Sequence, residues 1–98
     1  MNVEVLDEAR LDIADGVAFY DRQSDGAGDY FNERIFDDIE ALEDTAGIHE
    51  IHLGYHRKIA SLHPYLADYR VVPTGVEVVA VLDGRGLPSD IEAILRRR

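Results

Sequence analysis

Four basic side chains in the second half of the chain, Arg57, Lys58, Arg70 and Arg85, could gather around an anion. Metal-free RNA cleavage needs a base for the 2′-hydroxyl, cations for the charge that builds on phosphorus, and an acid for the leaving oxygen. His63 as base with Arg70 and Arg85 as cations would meet part of that need. The same four cations could instead form one face that binds an anionic partner without reacting with it. The simplest use of Arg57, Arg70 and Arg85 is ion pairing with Asp68, Asp83 or acids of the helices. Such pairs contribute little when exposed.

Other chemistries are weakly signalled. His49, His52 and His56 stand at i, i+3 and i+7, a helical face that could hold a metal. His-Glu-Ile-His is one residue short of the zincin motif, however, and Gly47 and Gly54 break the segment. It reads as a loop with solvent-exposed histidines, so no metal site is assigned. Gly26 and Gly28 lack the Lys-Ser/Thr and third glycine of a phosphate loop, and no cofactor is implied. With no cysteine, disulfides and thiol catalysis are excluded. Tyr65 and Tyr69 could stack on bases, but same-face aromatics on a strand more often lie in a core.

Elements must position these residues. Val3 and Val5 alternate with polar neighbours, which predicts a short strand over Asn2–Leu6. Asp7 is the expected N-cap of a helix whose stripe is Ala9, Ile13, Val17 and Tyr20. Gly16 inside that helix costs about 1 kcal/mol against Ala, so it should mark a close packing contact. After the Ser24–Gly28 break, Phe31, Ile35, Ile39 and Leu42 define a second helix ending near Gly47. The two form an antiparallel hairpin. Then the period changes. Arg57–Leu62 is a short strand, Tyr65–Val72 an alternating one, and Val76–Leu82 an apolar one suited to the middle of a sheet. Ser89-Asp90-Ile91-Glu92 reads as a capping box opening a final short helix, with Ile91, Ile94 and Leu95 on one side. The expected fold is a single α+β domain over residues 1–98. Its order is β-α-α-β-β-β, with a mostly antiparallel four-stranded sheet, the helical hairpin on one face and a C-terminal helix.

Charge divides the molecule. The net charge is −10, which argues against direct nucleic-acid binding by the whole molecule. Residues 1–46 carry fourteen acids against three bases, a net of −11; residues 47–98 carry six against seven, a net of +1. An anionic partner should meet the second half. The bias towards Asp, with Lys58 the one lysine, fits a salt-adapted or GC-rich source as well as a functional demand. No apolar run approaches the ~18 residues of a membrane span, and the first residues lack signal-peptide features. A cytoplasmic protein with no membrane partner is expected.

Several stretches together resemble the RelE/ParE superfamily of type II toxin–antitoxin systems, closer to its ParE (plasmid stabilisation) branch. They are Ala14–Tyr20 (ADGVAFY), Gly26–Phe31 (GAGDYF), Arg57-Lys58-Ile59, Pro64-Tyr65 with Tyr69-Arg70-Val71, and Val76–Arg85 (VEVVAVLDGR). The resemblance covers nearly the whole chain in order. It implies a compact toxin neutralised by a cognate antitoxin whose C-terminal segment wraps its helices and sheet. In the ParE branch the target is DNA gyrase, bound without chemistry; in the RelE branch the toxin is a ribosome-dependent mRNA endonuclease. Arg85 matches the family's arginine after the last strand. Where many relatives have His, this chain has Asp83, which repels phosphate, and no Tyr or His follows Arg85. The expectation is therefore a non-enzymatic, ParE-like gyrase inhibitor. The alternatives are a RelE-like nuclease and a degenerate, non-toxic member. A homo-oligomer is compatible with the sequence.

Overall fold

The alternating valines of Val3–Val5 form β1, and the chain turns straight into α1 (Asp7–Gln23). A computed structural model describes residues 1–62 and 64–98. After α1 come α2 (Ala27–Glu40), a single-turn helix α3 (Leu42–Thr45), β2 (Ile51–His52), β3 (Tyr55–Ile59), β4 (Tyr65–Val72), β5 (Gly75–Asp83) and α4 (Pro88–Arg96). The class is α+β, as expected. The sheet has five strands rather than four, in the order β1-β5-β4-β3-β2. It is mixed: β1 lies parallel to β5, and all other neighbours are antiparallel.

The helical stripes do the predicted work. Ala9 and Ile13 of α1, and Phe31, Ile35 and Ile39 of α2, are buried against Tyr65, Tyr69, Val76, Val78 and Val81 of the sheet. Leu42 joins them from α3. Burying one such large side chain contributes roughly 1.5–3 kcal/mol. Gly16 is where the two helices touch, since a Cβ there would lie 2.5 Å from Cε2 of Phe31. At the hairpin loop Gly26 takes φ +84°, and Asp21 Oδ1 accepts the Gly28 N–H at 2.8 Å. That bond satisfies one of the free amides at the start of α2.

The other face of the sheet is not bare. Val79 and Ala80 of β5 are covered by Leu95 of α4, with Leu6, Tyr55, Leu82 and Ile91 around them. The apolar character of β5 on both faces thus follows from cover on both sides, not on one. Two caps differ from expectation. Leu6, not Asp7, is the N-cap of α1, and Asp7 falls in the first turn. α4 begins at Pro88 with Leu87 as N-cap, so Ser89 caps nothing and Glu92 pairs with Arg96 instead.

The sheet also has a fault that matters below. Asp68 faces Ala80, but Tyr69 faces Val78, so Val79 is an extra residue on β5. This is a bulge. β1 ends opposite Val78, so among the described residues the outer edge of β5 has no strand from Val79 on. The orphaned groups there are met by side chains: Asp12 Oδ2 accepts the Val81 N–H at 3.0 Å, and Arg98 donates to the Val79 carbonyl at 2.8 Å.

Candidate functional site

Strand parity decides where the predicted cations go. Adjacent residues on β3 point to opposite faces. Arg57 lies opposite Asp68 on the α4 side, whereas Lys58 lies opposite Ala67 on the hairpin side. Arg70 shares the Arg57 side, opposite Glu77. Arg85 sits beyond the end of β5, against Asp83, whose strand partner Tyr65 belongs to the hairpin-side core. The four cations expected to make one face are therefore divided. Arg57 and Arg70 share a surface, Lys58 takes the other, and Arg85 stands at the rim. His63, the proposed base, lies outside the described residues.

Each of the four also has an acceptor. Arg57 grips Asp68 with two nitrogens, Nε to Oδ1 at 3.0 Å and Nη2 to Oδ2 at 3.4 Å. Asp68 is fully buried; burial pushes its carboxyl up, and the Arg57 guanidinium opposes that. Arg70 Nε donates to Glu77 Oε1 at 2.7 Å. Arg85 closes a ring on Asp83, its backbone N–H on Oδ1 at 2.9 Å and Nη2 on Oδ2 at 2.8 Å. The bond from Arg85 holds the Asp83 carboxyl below the usual carboxylate range. Lys58 Nζ donates to the Asp38 carbonyl of α2 at 2.8 Å. The ion pairs of Arg57 and Arg85 are the ones the sequence offers as the simple alternative. Arg70 pairs with Glu77, an acid outside that set.

The histidines fall in strands and a turn, not on a helix. His52 lies in β2 and His56 in β3, and the Leu53-Gly54 turn between them has both residues at positive φ. Asn-Gly or Asp-Gly is the usual sequence for such a turn, so the leucine hides it. His49 and His56 are partly buried around Tyr69, contrary to the expected exposed loop. The Tyr69 hydroxyl accepts the Gly47 N–H at 2.9 Å and lies 2.6 Å from His49 Nδ1. His56 Nδ1 donates to the His49 carbonyl at 2.7 Å, and its ring stacks on Tyr69 with centroids 5.1 Å apart. Burial first, then Lys58 and His56, lower the His49 pKa. Tyr69 and Tyr65 are core residues, so neither offers a stacking platform.

Smaller hollows lie beside Arg98 and beside Phe19, of about 290 and 220 Å³, and two larger concave surfaces accompany them. A groove of about 360 Å³ lies between α4 and the β3–β4 surface, with Arg57, Leu66, Ile91 and Glu92 on its walls. Its arginine is already neutralised by Asp68. The other is a furrow along the helical hairpin, with an apolar floor and carboxylates at its edges. Among the described residues no cluster of three His, Cys, Asp or Glu side chains could hold a metal, and no helix is long and apolar enough to cross a membrane.

The pair that sequence reasoning missed is Asp12 and Arg98. Arg98 places Nη1 and Nη2 on the two oxygens of Asp12 at 2.7 and 2.8 Å, and reaches Glu8 at 3.1 Å. No local pattern marks it, because the contact exists only where β5 outruns β1. Compared with known proteins, the chain matches no family model and no curated protein sequence.

Proposed function

We propose that the chain is the toxin of a type II toxin–antitoxin pair, of the ParE-like kind, acting by binding a protein target and held inactive by a cognate antitoxin. By the resemblance of its sequence stretches, the target is DNA gyrase. The observation that carries the non-enzymatic reading is the engagement of the arginines. Arg57, Arg70 and Arg85 each bind a carboxylate, and Asp83, held ionised by Arg85, stands where the resemblance places a histidine in many relatives. An anionic transition state would have to displace those carboxylates, and it would meet the net −10 of the chain on approach. The element order β-α-α-β-β-β-α, preserved apart from the single-turn α3 and the two-residue β2, is compatible with this reading.

The test is to express the chain alone and follow growth, with gyrase supercoiling and mRNA integrity assayed in parallel. Growth arrest with supercoiling inhibited and mRNA intact is the expected result. Ribosome-dependent mRNA cleavage would overturn the proposal in favour of the nuclease. Normal growth at high expression would remove toxicity altogether. The frame beside the gene should encode a short protein that restores growth when co-expressed.

A further inference from the structure

The furrow on the helical hairpin is built from two hollows that share Arg10 and Phe36. One of about 470 Å³ lies between α1 and α2, and one of about 530 Å³ continues to β1. Its floor is Val17, Ala18, Phe36, Ile39 and Val5. Val5 and Ile39 are the outer margin of the hairpin-side core, and Val17 and Phe36 pack against that core while staying half-buried, so the furrow is where the core comes to the surface. The furrow ends at the outer edge of the sheet. Asn2 and Leu6 bond to β5 through Val76 and Val78, so by alternation the backbone groups of Val3 and Val5 point outward. Among the described residues β1 has no neighbour on that side.

The rim fixes the sign of the occupant. Glu4, Glu40 and Glu43 border the β1 end, and Asp21 borders the far end. Among the described residues the side chains of Glu4, Glu40 and Glu43 accept no hydrogen bond or ion pair, in a segment whose net charge is −11. Arg10 is, among the described residues, the one base lining the furrow. We infer that this furrow is a docking surface for a cationic amphipathic segment of a partner protein, apolar against the floor and Lys- or Arg-bearing towards the rim. Naming that partner as the antitoxin rests on the toxin reading; the sign of its charge does not. An antitoxin that docks here carries a basic segment, not the acidic one that four free cations on the sheet would have called for.

The probe is an 18-residue fluorescein-labelled peptide with Leu on one helical face and Lys on the other, and its counterpart with Glu in place of every Lys. Binding is read by fluorescence anisotropy, and its location by amide chemical shifts of the full chain. The Lys peptide should bind, with shifts concentrated at Ala14, Val17, Ala18 and Phe36, and the Glu peptide should not. The double variant E40K/E43K should weaken binding at least tenfold, and Ala18→Arg, at the other end, should do so independently. All three residues are exposed, and a thermal melt of each variant verifies folding. The inference falls if the Lys peptide does not bind, if its shifts spread over the outer helix surface or appear in the α4 groove, or if both variants bind as before. The growth assay is independent of these readouts. Toxicity can therefore fail while the furrow binds, and the furrow can fail while toxicity stands.

Discussion

The two halves of this molecule treat charge in opposite ways. In the sheet half, Arg57, Lys58, Arg70, Arg85, Arg96 and Arg98 all bind an acid or a carbonyl. In the hairpin half, ten of the fourteen acids have no side-chain partner among the described residues; only Glu8, Asp12, Asp21 and Asp38 do. Charges bound to one another cancel at a distance, whereas unpaired ones set the field a partner meets. The second half looks cationic when counted and is largely neutralised when folded. The first half is acidic on both measures. The counting argument alone sends an anionic partner to the sheet; the folded pairs point to a cationic partner at the hairpin.

The contrast can be broken most severely at Asp68. Removing a buried partner leaves its guanidinium uncompensated, so Asp68→Ala should destabilise by about 3–5 kcal/mol, measured by urea unfolding. Replacing both members with apolar residues, as in R57M/D68L, should recover most of that loss. A cost below about 1 kcal/mol for Asp68→Ala would mean that Arg57 is hydrated and free to meet a ligand.

Next is Gly16→Ala, which puts a methyl group into the buried ring of Phe31. The overpacking should cost about 1–3 kcal/mol, with the hairpin losing its fit. A neutral outcome would show that the helices can separate. A smaller effect is expected from the loose acids. Single Glu33→Gln or Asp37→Asn changes should stay within about 0.5 kcal/mol. Moderate salt should raise the melting temperature by screening their repulsion. A flat response up to ~0.5 M would show that these acids are paired in solution.

The subtlest is the pH response of the Tyr69 cluster. His49 has a folded pKa lowered from the ordinary 6.5, by burial and then by Lys58 and His56. Folding therefore favours neutral His49. Stability from this group is complete above pH 6.5 and declines as pH drops from there towards the lowered value. Unfolding free energies measured between pH 7.5 and 5 should show that decline, and His49→Gln should flatten it.

Much of the frame was legible from periodicity. The stripe Phe31–Ile35–Ile39 and the alternation of Tyr65–Val72 are strong signals, because each matches the geometry of one element over several residues; Leu42, the next member of the expected stripe, falls on the separate turn α3. β2 was invisible for the opposite reason: two residues cannot establish a period, and its turn carries Leu53 at φ +54° where an asparagine or aspartate would have signalled it. The division of Arg57 from Lys58 was implicit in the sequence, since neighbours on a strand cannot share a face. The partners of Arg57 and Arg70 depend on register between strands, and the Val79 bulge shifts that register partway along. Asp12 and Arg98 stand 86 residues apart, beyond the reach of any local pattern.

That distant contact gives the molecule a built-in gauge. β5 is hydrogen-bonded along its length to β4, and at its start to β1, but the Val81 amide leans on a carboxylate which Arg98 also steadies. Should α4 lift away, as it would if a ligand competed for the strip beneath Leu95, the Val81 proton should exchange sooner than those of Val76 and Val78. One resonance in the middle of the sheet would then report whether the far end of the chain is seated.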